Sequence, residues 1–331
     1  MPRMTALLNR LFLFACLFVS PAALGQTYPD RTVTIVVTSA AGALTDVLTR
    51  AIAQSLSEMW KQSVIVENRG GAGYSIAAQS VMRAERDGLT LLSSETAIWS
   101  IQPHLYAKDK LSYDAERDFV PVSGYGTIPM ALIVNPSVPA KSLSELLALA
   151  RQKPGAVTFG SAGVGAAPYL ACAMVTAAIG ATAVTHVPYR SSAPALQDLI
   201  SGTIDYYCPV SVAAMPLIAN KSAKVIAVLT RERSPLFPDL PTAAEEGLNV
   251  VDGYYWMALF LPKATPENVV EILNKAIGVT LDTPAVQARL KDVATTVVPA
   301  SQRSTAYLQK YVETEIVKWA GIMRTANVPQ Q

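Results

Sequence analysis

Apolar and polar positions alternate along the chain in two rhythms, short β-branched runs and longer stretches of helical spacing. The run "VTIVV" (33–37) is followed by apolar residues at Val47, Leu48, Ala51, Ile52, Leu56, Met59 and Trp60, and then by "SVIVEN" (63–68). A period near two predicts a strand and a period between three and four a helix, so this is a β–α–β unit. A helix through "IAAQSVMRAE" and a strand at "LTLLSS" (89–94) continue it. Such alternation predicts helices on both faces of a largely parallel sheet, a doubly wound α/β lobe.

In "DFVPVSGYGTIPMALIVNPSVP", Gly124, Gly126 and Pro129 separate two strand-like runs and mark a first crossing between lobes. The alternation then resumes. Strands are predicted at "MALIVN" (130–135), "VTFGS" (157–161), "AVTHVPY" (183–189), "IDYYCPV" (204–210) and "KVIAVL" (224–229). The helices between them begin at the capping-box pattern Ser142-x-x-Glu145 and run through "YLACAMVTAAIG", "APALQDLISG" and "AAMPLIANK". The uncharged interval 168–189 is dominated by Ala and Thr and interrupted by Gly180, which predicts a buried helix and strand and not a membrane span. The Pro-rich "SPLFPDLPT" leads back to a strand, "YYWMALFLP" (254–262). A helix with Thr265 as cap and Pro266 in its first turn follows, and the amphipathic "TAYLQKYVETEIVKWAGIMRT" closes the chain. The expected organisation is a signal peptide at 1–25, one lobe of 26–126 plus 236–331, and a second lobe of 127–235.

With 331 residues, 51% of them hydrophobic, the chain can fill two cores. Its first 25 residues carry Arg3 and Arg10, the apolar "LFLFACLFV" and the small residues Ala23 and Gly25. This pattern predicts export to the periplasm by a signal peptide cleaved near Gly25/Gln26, with lipid attachment at Cys16 as an alternative. Loss of both arginines takes the formal net charge from +2 to zero, which gives no reason to expect nucleic acid or anionic lipid as partner. Cys172 and Cys208 then remain and are expected as two buried free thiols, although an exported compartment permits a disulfide. His104 and His186 are the only histidines, which excludes a His-rich metal site; no metal and no cofactor are expected.

Three strand-to-helix turns are built of small residues: "TSAAGALTD" (38–46), "NRGGAGYS" (68–75) and "GSAGVGAAP" (160–168). The first amides of a helix have no internal acceptor and the helix dipole is positive there, so such turns suit a carboxylate or phosphate. Candidate ligand-binding residues are Ser39, Ala40, Ala41, Gly42, Thr45 and Asp46 in the first turn, with Asp46 expected to order it as a cap. Gly73 in the second turn, and Ser161, Ala162, Gly163, Gly165 and Ala166 in the third, join them. Ser94 and Pro209, in the last residues of predicted strands, and Thr96, just past one, are expected beside the cleft. "GSAGVG" is part of a dinucleotide fingerprint, but the full G-x-G-x-x-G is absent. Neither a G-x-S-x-G elbow nor an H-E-x-x-H occurs, so no catalytic residue is expected. Two alternatives stay open: a secreted serine hydrolase using Ser94 or Ser161 with His186, and a sensory module that presents its closed lobes to a signalling partner.

Across the mature length, "VENRGGAG", "DGLTLL", "LSYDAERDFVPV", "VTFGSAGVG", "HVPYRSSAPALQDLISGTIDY", "RSPLFPDLPTAAEEG" and "YYWMALFLPK" follow one another in order. In these segments the chain resembles the periplasmic solute receptors of tripartite tricarboxylate transporters, the Bug receptors. The resemblance implies a type II periplasmic binding protein, two doubly wound α/β lobes joined by two crossing segments. It also implies that the lobes close like a Venus flytrap on a small organic acid and hand it to membrane permease subunits. In that family the turns matching 38–46 and 160–168 act as opposing pincers through backbone N–H groups, hydroxyls and ordered water. The protein is expected to act as a monomer. Departures are Thr38-Ser39 in place of Pro-Phe, Gly42-Ala43 in place of Gly-Gly, Tyr169 in place of His and Ala166 in place of a hydroxyl residue. Loss of the aromatic at Ser39 and of the hydroxyl at Ala166 predicts a wider, drier cleft, with Tyr74, Trp99, Tyr206 and Tyr207 as candidate rings for a ligand with an apolar body.

Overall fold

A computed structural model describes residues 28–70, 74–107, 110–179, 184–235, 237–248 and 251–325. The expected signal peptide with its cleavage site, Cys16, Gly73 and Gly180 lie outside them.

The β-branched runs form β1 (Val33–Val37), β2 (Val64–Asn68) and β3 (Thr90–Glu95), which pair in parallel with β1 in the middle. Helix α1 (Leu44–Trp60) connects β1 to β2, and α2 (Ser75–Met82) precedes β3. Leu48, Ile52 and Leu56, four residues apart, are buried on the sheet-facing stripe of α1. The sheet is extended by β4 (Phe119–Pro129), β10 (Tyr254–Pro262) and β11 (Thr296–Val297), in the order β11-β4-β10-β3-β1-β2. These three added strands pair antiparallel, so the sheet is mixed where the alternation predicts a largely parallel one. The reason is topological: β10 returns from the second sheet and runs against β3. Gly124 and Gly126 do not separate two strands but lie inside β4, where its pairing with β10 bulges at Met257/Ala258. A Cβ on Gly126 would stand 2.5 Å from Thr295 Cγ2, so glycine lets the neighbouring layer approach.

The second sheet comprises β5 (Ala131–Val134), β6 (Val157–Ser161), β7 (Val184–Pro188), β8 (Tyr206–Tyr207) and β9 (Lys224–Val228), ordered β7-β6-β8-β5-β9. It is flanked by α4 (Leu143–Gln152), α5 (Ala167–Ile179), α6 (Ser192–Ser201) and α7 (Ser211–Ala219). Ser142 caps α4 by accepting from the Glu145 amide at 3.1 Å, and the Glu145 carboxylate accepts from the Lys141 amide at 2.7 Å. The uncharged interval is α5 followed by β7. Strand β8 is shorter than predicted because Pro209 has no N–H for the ladder; its carbonyl accepts from the Ala131 amide instead.

Cys172 on α5 and Cys208 after β8 form a disulfide, which overturns the expectation of two free thiols. Both are fully buried and their Cα atoms are 5.5 Å apart, within the span a disulfide bridges. Thr265 is not the cap of α8 (Glu267–Leu281): Pro266 takes that position, and the Thr265 hydroxyl donates to the Pro262 carbonyl. A helix that the periodicity leaves unpredicted, α9 (Pro284–Asp292), follows. The last helix, α10 (Thr305–Thr325), spans both cores: Leu308 and Val312 pack against the first sheet, Trp319 and Met323 against the second.

The two sheets repeat one order at their parallel ends, β2-β1-β3 and β7-β6-β8. The chain leaves β1 toward one side and β3 lies on the other, and β6 stands likewise between β7 and β8. Such a reversal opens a crevice at the strands' carboxyl ends, where ligands of open α/β sheets bind.

Candidate functional site

The turns 38–43 and 162–166 emerge from the two reversal strands, β1 and β6. In the first, Gly42 has φ +82, and its amide donates to Asp46 Oδ2 at 2.8 Å. Ala43 begins the helix without a side-chain cap. Asp46, three residues on, reaches back as a capping-box acid does, but to the Gly42 amide one residue before the cap, while the Ala43 amide donates to the Ala40 carbonyl. Its other oxygen accepts from Asn68 Nδ2 at 2.8 Å and pairs with Arg50 Nε at 2.9 Å. Burial acts to raise the Asp46 pKa, but the Arg50, Gly42 and Asn68 bonds prevail and hold it below the usual carboxylate range. Asp46 therefore orders the turn, and the Gly42 amide is already engaged. Asn68 also donates to the Ser39 carbonyl at 3.1 Å, which ties the turn to the end of β2.

A group with a lowered folded pKa stabilises the fold fully above its unfolded pKa and loses that contribution as pH falls through the folded value. Asp46→Ala is expected to cost about 2 kcal/mol at neutral pH, for the loss of charge-assisted bonds to a buried carboxylate. Chemical denaturation of both proteins should show the difference shrinking below about pH 4; an unchanging difference would assign the effect to packing.

In the third turn Gly163 and Gly165 have φ +103 and +86. The Gly163 amide donates to Ser161 Oγ at 3.1 Å, and the Ala166 amide to the Gly163 carbonyl at 3.2 Å, so both are engaged internally. At Gly165 the close approach is by protein: a Cβ there would stand 2.3 Å from Leu105 Cδ2, and Gln102 lies beside it. Leu105 and Gln102 belong to α3 (Gln102–Leu105), which follows a π-helical turn (Ala97–Ile101) at the end of β3. The turn after β6 is thus seated against the segment that leaves β3.

Seven buried side-chain polar atoms among the described residues have no hydrogen-bond partner; five of them follow one another at this edge, Thr38 Oγ1, Ser39 Oγ, Ser94 Oγ, Ser100 Oγ and Gln102 Oε1, while Trp99 Nε1 belongs to the adjoining core. Native proteins leave few such groups, so their concentration at the carboxyl ends of β1 and β3 points to a ligand or ordered water. Next to Ser94, at the end of β3, stands Glu95, 4% exposed. It accepts from Thr45 Oγ1 at 2.9 Å and from the Tyr255 hydroxyl, and the Tyr74 hydroxyl is bonded to it as well. Glu95 closes the apolar strand "LTLLSS" and was absent from the candidates; its only signal in the sequence is a charge at the end of a buried strand.

Thr96 does not line the cleft: its hydroxyl is held by the Trp256 backbone, accepting from the amide at 2.9 Å. Pro209 is buried at the crossing, with its carbonyl bonded to Ala131. Ala40, Ala41 and Gly42 are exposed, whereas Ala162 and Ala166 are half-buried. Of the candidate rings only Tyr74 reaches the site. Trp99 stacks on Phe260 at 3.7 Å inside the first core, and Tyr206 and Tyr207 are fully buried with their hydroxyls on Thr176 and Ser192. Tyr169 joins Phe159 and His186 in a ring cluster. Ser161 Oγ and His186 Nε2 are 2.7 Å apart, the pair a hydrolase would need. Yet Ser161 is fully buried and already accepts from Gly163, and burial pushes the His186 pKa down, which keeps the ring neutral. Among the described residues no carboxylate is bonded to His186, so the pair acts as a clasp between β6 and β7.

The family described as tripartite tricarboxylate transporter family receptor matches residues 48–328. MatC from Rhodopseudomonas palustris, solved with bound malate, is 34% identical, with a TM-score of 0.77 over 89% of this chain and 99% of its own. A second R. palustris structure, with adipate, is 31% identical, with a TM-score of 0.79 over 92% of this chain and 100% of its own. BugT of Bordetella pertussis is 30% identical over 96% of this chain and 97% of its own.

Proposed function

Because the chain belongs to the tripartite tricarboxylate transporter family of receptors, we propose that the crevice between β1, β3 and β6 holds a small aliphatic carboxylate for delivery to the membrane permease. The protein is a periplasmic solute receptor and not an enzyme. The observation that carries the site assignment is the cluster of unpartnered buried groups at Thr38, Ser39, Ser94, Ser100 and Gln102, below the uncapped start of α1. A carboxylate offers acceptors to those hydroxyls and to the first amides of α1, where the helix dipole favours negative charge.

The assignment narrows the candidates. Gly42, Gly163 and Ala166 have engaged amides, so the donors on the first lobe are the Ser39, Ala40 and Ala41 amides with the Ser39 and Ser94 hydroxyls. On the second they are the amides of Ala162, Val164 and Gly165. The lobes are drawn at 26–129 with 252–331, and at 130–251. The first expected boundary, 126/127, moves because β4 runs to Pro129; the second, 235/236, moves because Thr242 bridges Val228, and Ala243 and Val251 pack in the second core. Export is assigned to a signal peptide over 1–25, and the receptor acts as a monomer.

Calorimetric titration with malate, adipate and the uncharged dimethyl ester of each tests this reading. Micromolar binding, about 8 kcal/mol, is expected for the diacids and none for the esters. Failure of both diacids to bind would overturn it.

A further inference from the structure

We infer that Glu95 is the specificity-determining residue of this cleft: it admits a ligand carboxylate only while Glu95 itself carries a proton, so that capture selects an anion together with one proton drawn from solvent. This inference rests on the carboxylate reading above.

The geometry is that of an acid placed where another acid must bind. Thr45 is the second residue of α1, and its hydroxyl donates to Glu95 Oε2 at 2.9 Å, so the Glu95 carboxyl stands at the helix start that attracts the ligand. Ser94, adjacent in sequence, carries one of the unpartnered hydroxyls. Two ionised carboxylates in one dry site repel, and the free energy falls when one of them takes a proton.

No protein cation relieves that repulsion. The titratable groups facing Glu95 are tyrosines: Tyr74 ahead of α2, Tyr255 on β10, and Tyr125 on β4, whose own ionisation Glu95 opposes. On α1, Asp46 and Arg50 are closed into an ion pair with Asn68. The segment leaving β3 brings no charged residue, and its His104 is bonded to the Ile316 carbonyl. On α10, Glu315 is bound by Trp256, Trp319 and Lys318. Among the described residues the partners of Glu95 are therefore hydroxyls, and burial pushes its pKa up against the hydrogen bonds from Thr45 and Tyr74.

The sign follows. With protonated Glu95 as the competent form, affinity is full below its pKa and falls as pH rises through it, about tenfold per pH unit on the alkaline side. The test is calorimetric titration of the full mature chain with malate and with adipate, from about pH 6.5 to about pH 9.5, where both carboxyls of each probe are ionised. Wild type should show the alkaline loss, and a proton uptake approaching one per ligand when buffers of different ionisation enthalpy are compared. Glu95→Gln, a neutral isostere that keeps one acceptor oxygen for Thr45 and Tyr255 and puts an N–H donor where the acid O–H would be, should bind with constant affinity and no uptake. If that variant does not fold by circular dichroism, the wild-type proton count decides alone. Wild-type binding that is flat across the range without uptake overturns the inference and leaves the carboxylate reading standing. So does an alkaline loss that persists in Glu95→Gln. A Glu95→Gln variant that keeps malate but loses an α-amino diacid bound by wild type would make Glu95 a counter-ion and also overturn it. Absence of binding to any carboxylate by either protein overturns both.

Discussion

Gly165→Val is expected to lower affinity for the carboxylate that wild type binds at least a hundredfold. Two penalties coincide at this position. The left-handed backbone, φ +86, costs a β-branched residue about 1–2 kcal/mol, and overpacking costs about 1–3 kcal/mol more. The second arises because the new Cβ would stand 2.3 Å from Leu105 Cδ2, in the seam where the turn after β6 meets the segment leaving β3. A hundredfold loss needs about 2.8 kcal/mol, within the roughly 2–5 kcal/mol that the two penalties span. It falls on binding because the turn sheds the strain by leaving the geometry that presents its amides, which the ligand must then restore. Gly163→Ala makes the contrast: the nearest atom to its Cβ is the Tyr189 carbonyl oxygen at 3.5 Å, so only the backbone strain, about 1 kcal/mol, applies. A double-mutant cycle of Gly165→Ala with Leu105→Ala, read by calorimetry, should show the pair losing less than the two singles together, with a coupling of about 1 kcal/mol or more. Strict additivity would mean that Leu105 does not set the requirement for glycine.

Removal of the Cys172–Cys208 bridge is expected to be the largest effect on stability. The cysteines are 36 residues apart in sequence, and a loop of that length corresponds to about 4 kcal/mol of lost denatured-state entropy in the chain-entropy account. Cys172→Ala/Cys208→Ala should therefore melt on the order of 10 °C below wild type. Reductant should shift wild type the same way and leave the variant unmoved. Two reactive thiols in the native, unreduced protein would return these residues to the free state that the sequence suggests.

Strand positions were legible wherever a β-branched run ended in a turn residue. The boundaries 33–37 and 254–262 coincide with β1 and β10 because burial on both faces keeps charged residues out of them. Glycines misled in β4, where Gly124 and Gly126 serve packing and not chain reversal. The short β8 misled in the opposite direction, since Tyr206 and Tyr207 are apolar enough to extend a strand that Pro209 stops. Helix α9 escaped notice because its buried residues, Val286 and Leu290, form too thin a stripe to register as a period.

At the site, the sequence alone determined which turns are bare. Small residues after β1 and β6 are a local property, because a strand-to-helix turn without side chains exposes its amides wherever the fold places it. Tertiary structure decided which of those amides remain available, since Asp46 takes the Gly42 N–H and Ser161 takes that of Gly163. It also decided that Glu95 stands at the start of α1, and that Cys172 meets Cys208. Both are meetings between residues far apart along the chain, set by sheet order and helix packing, and periodicity carries no record of which distant side chains will share one buried volume.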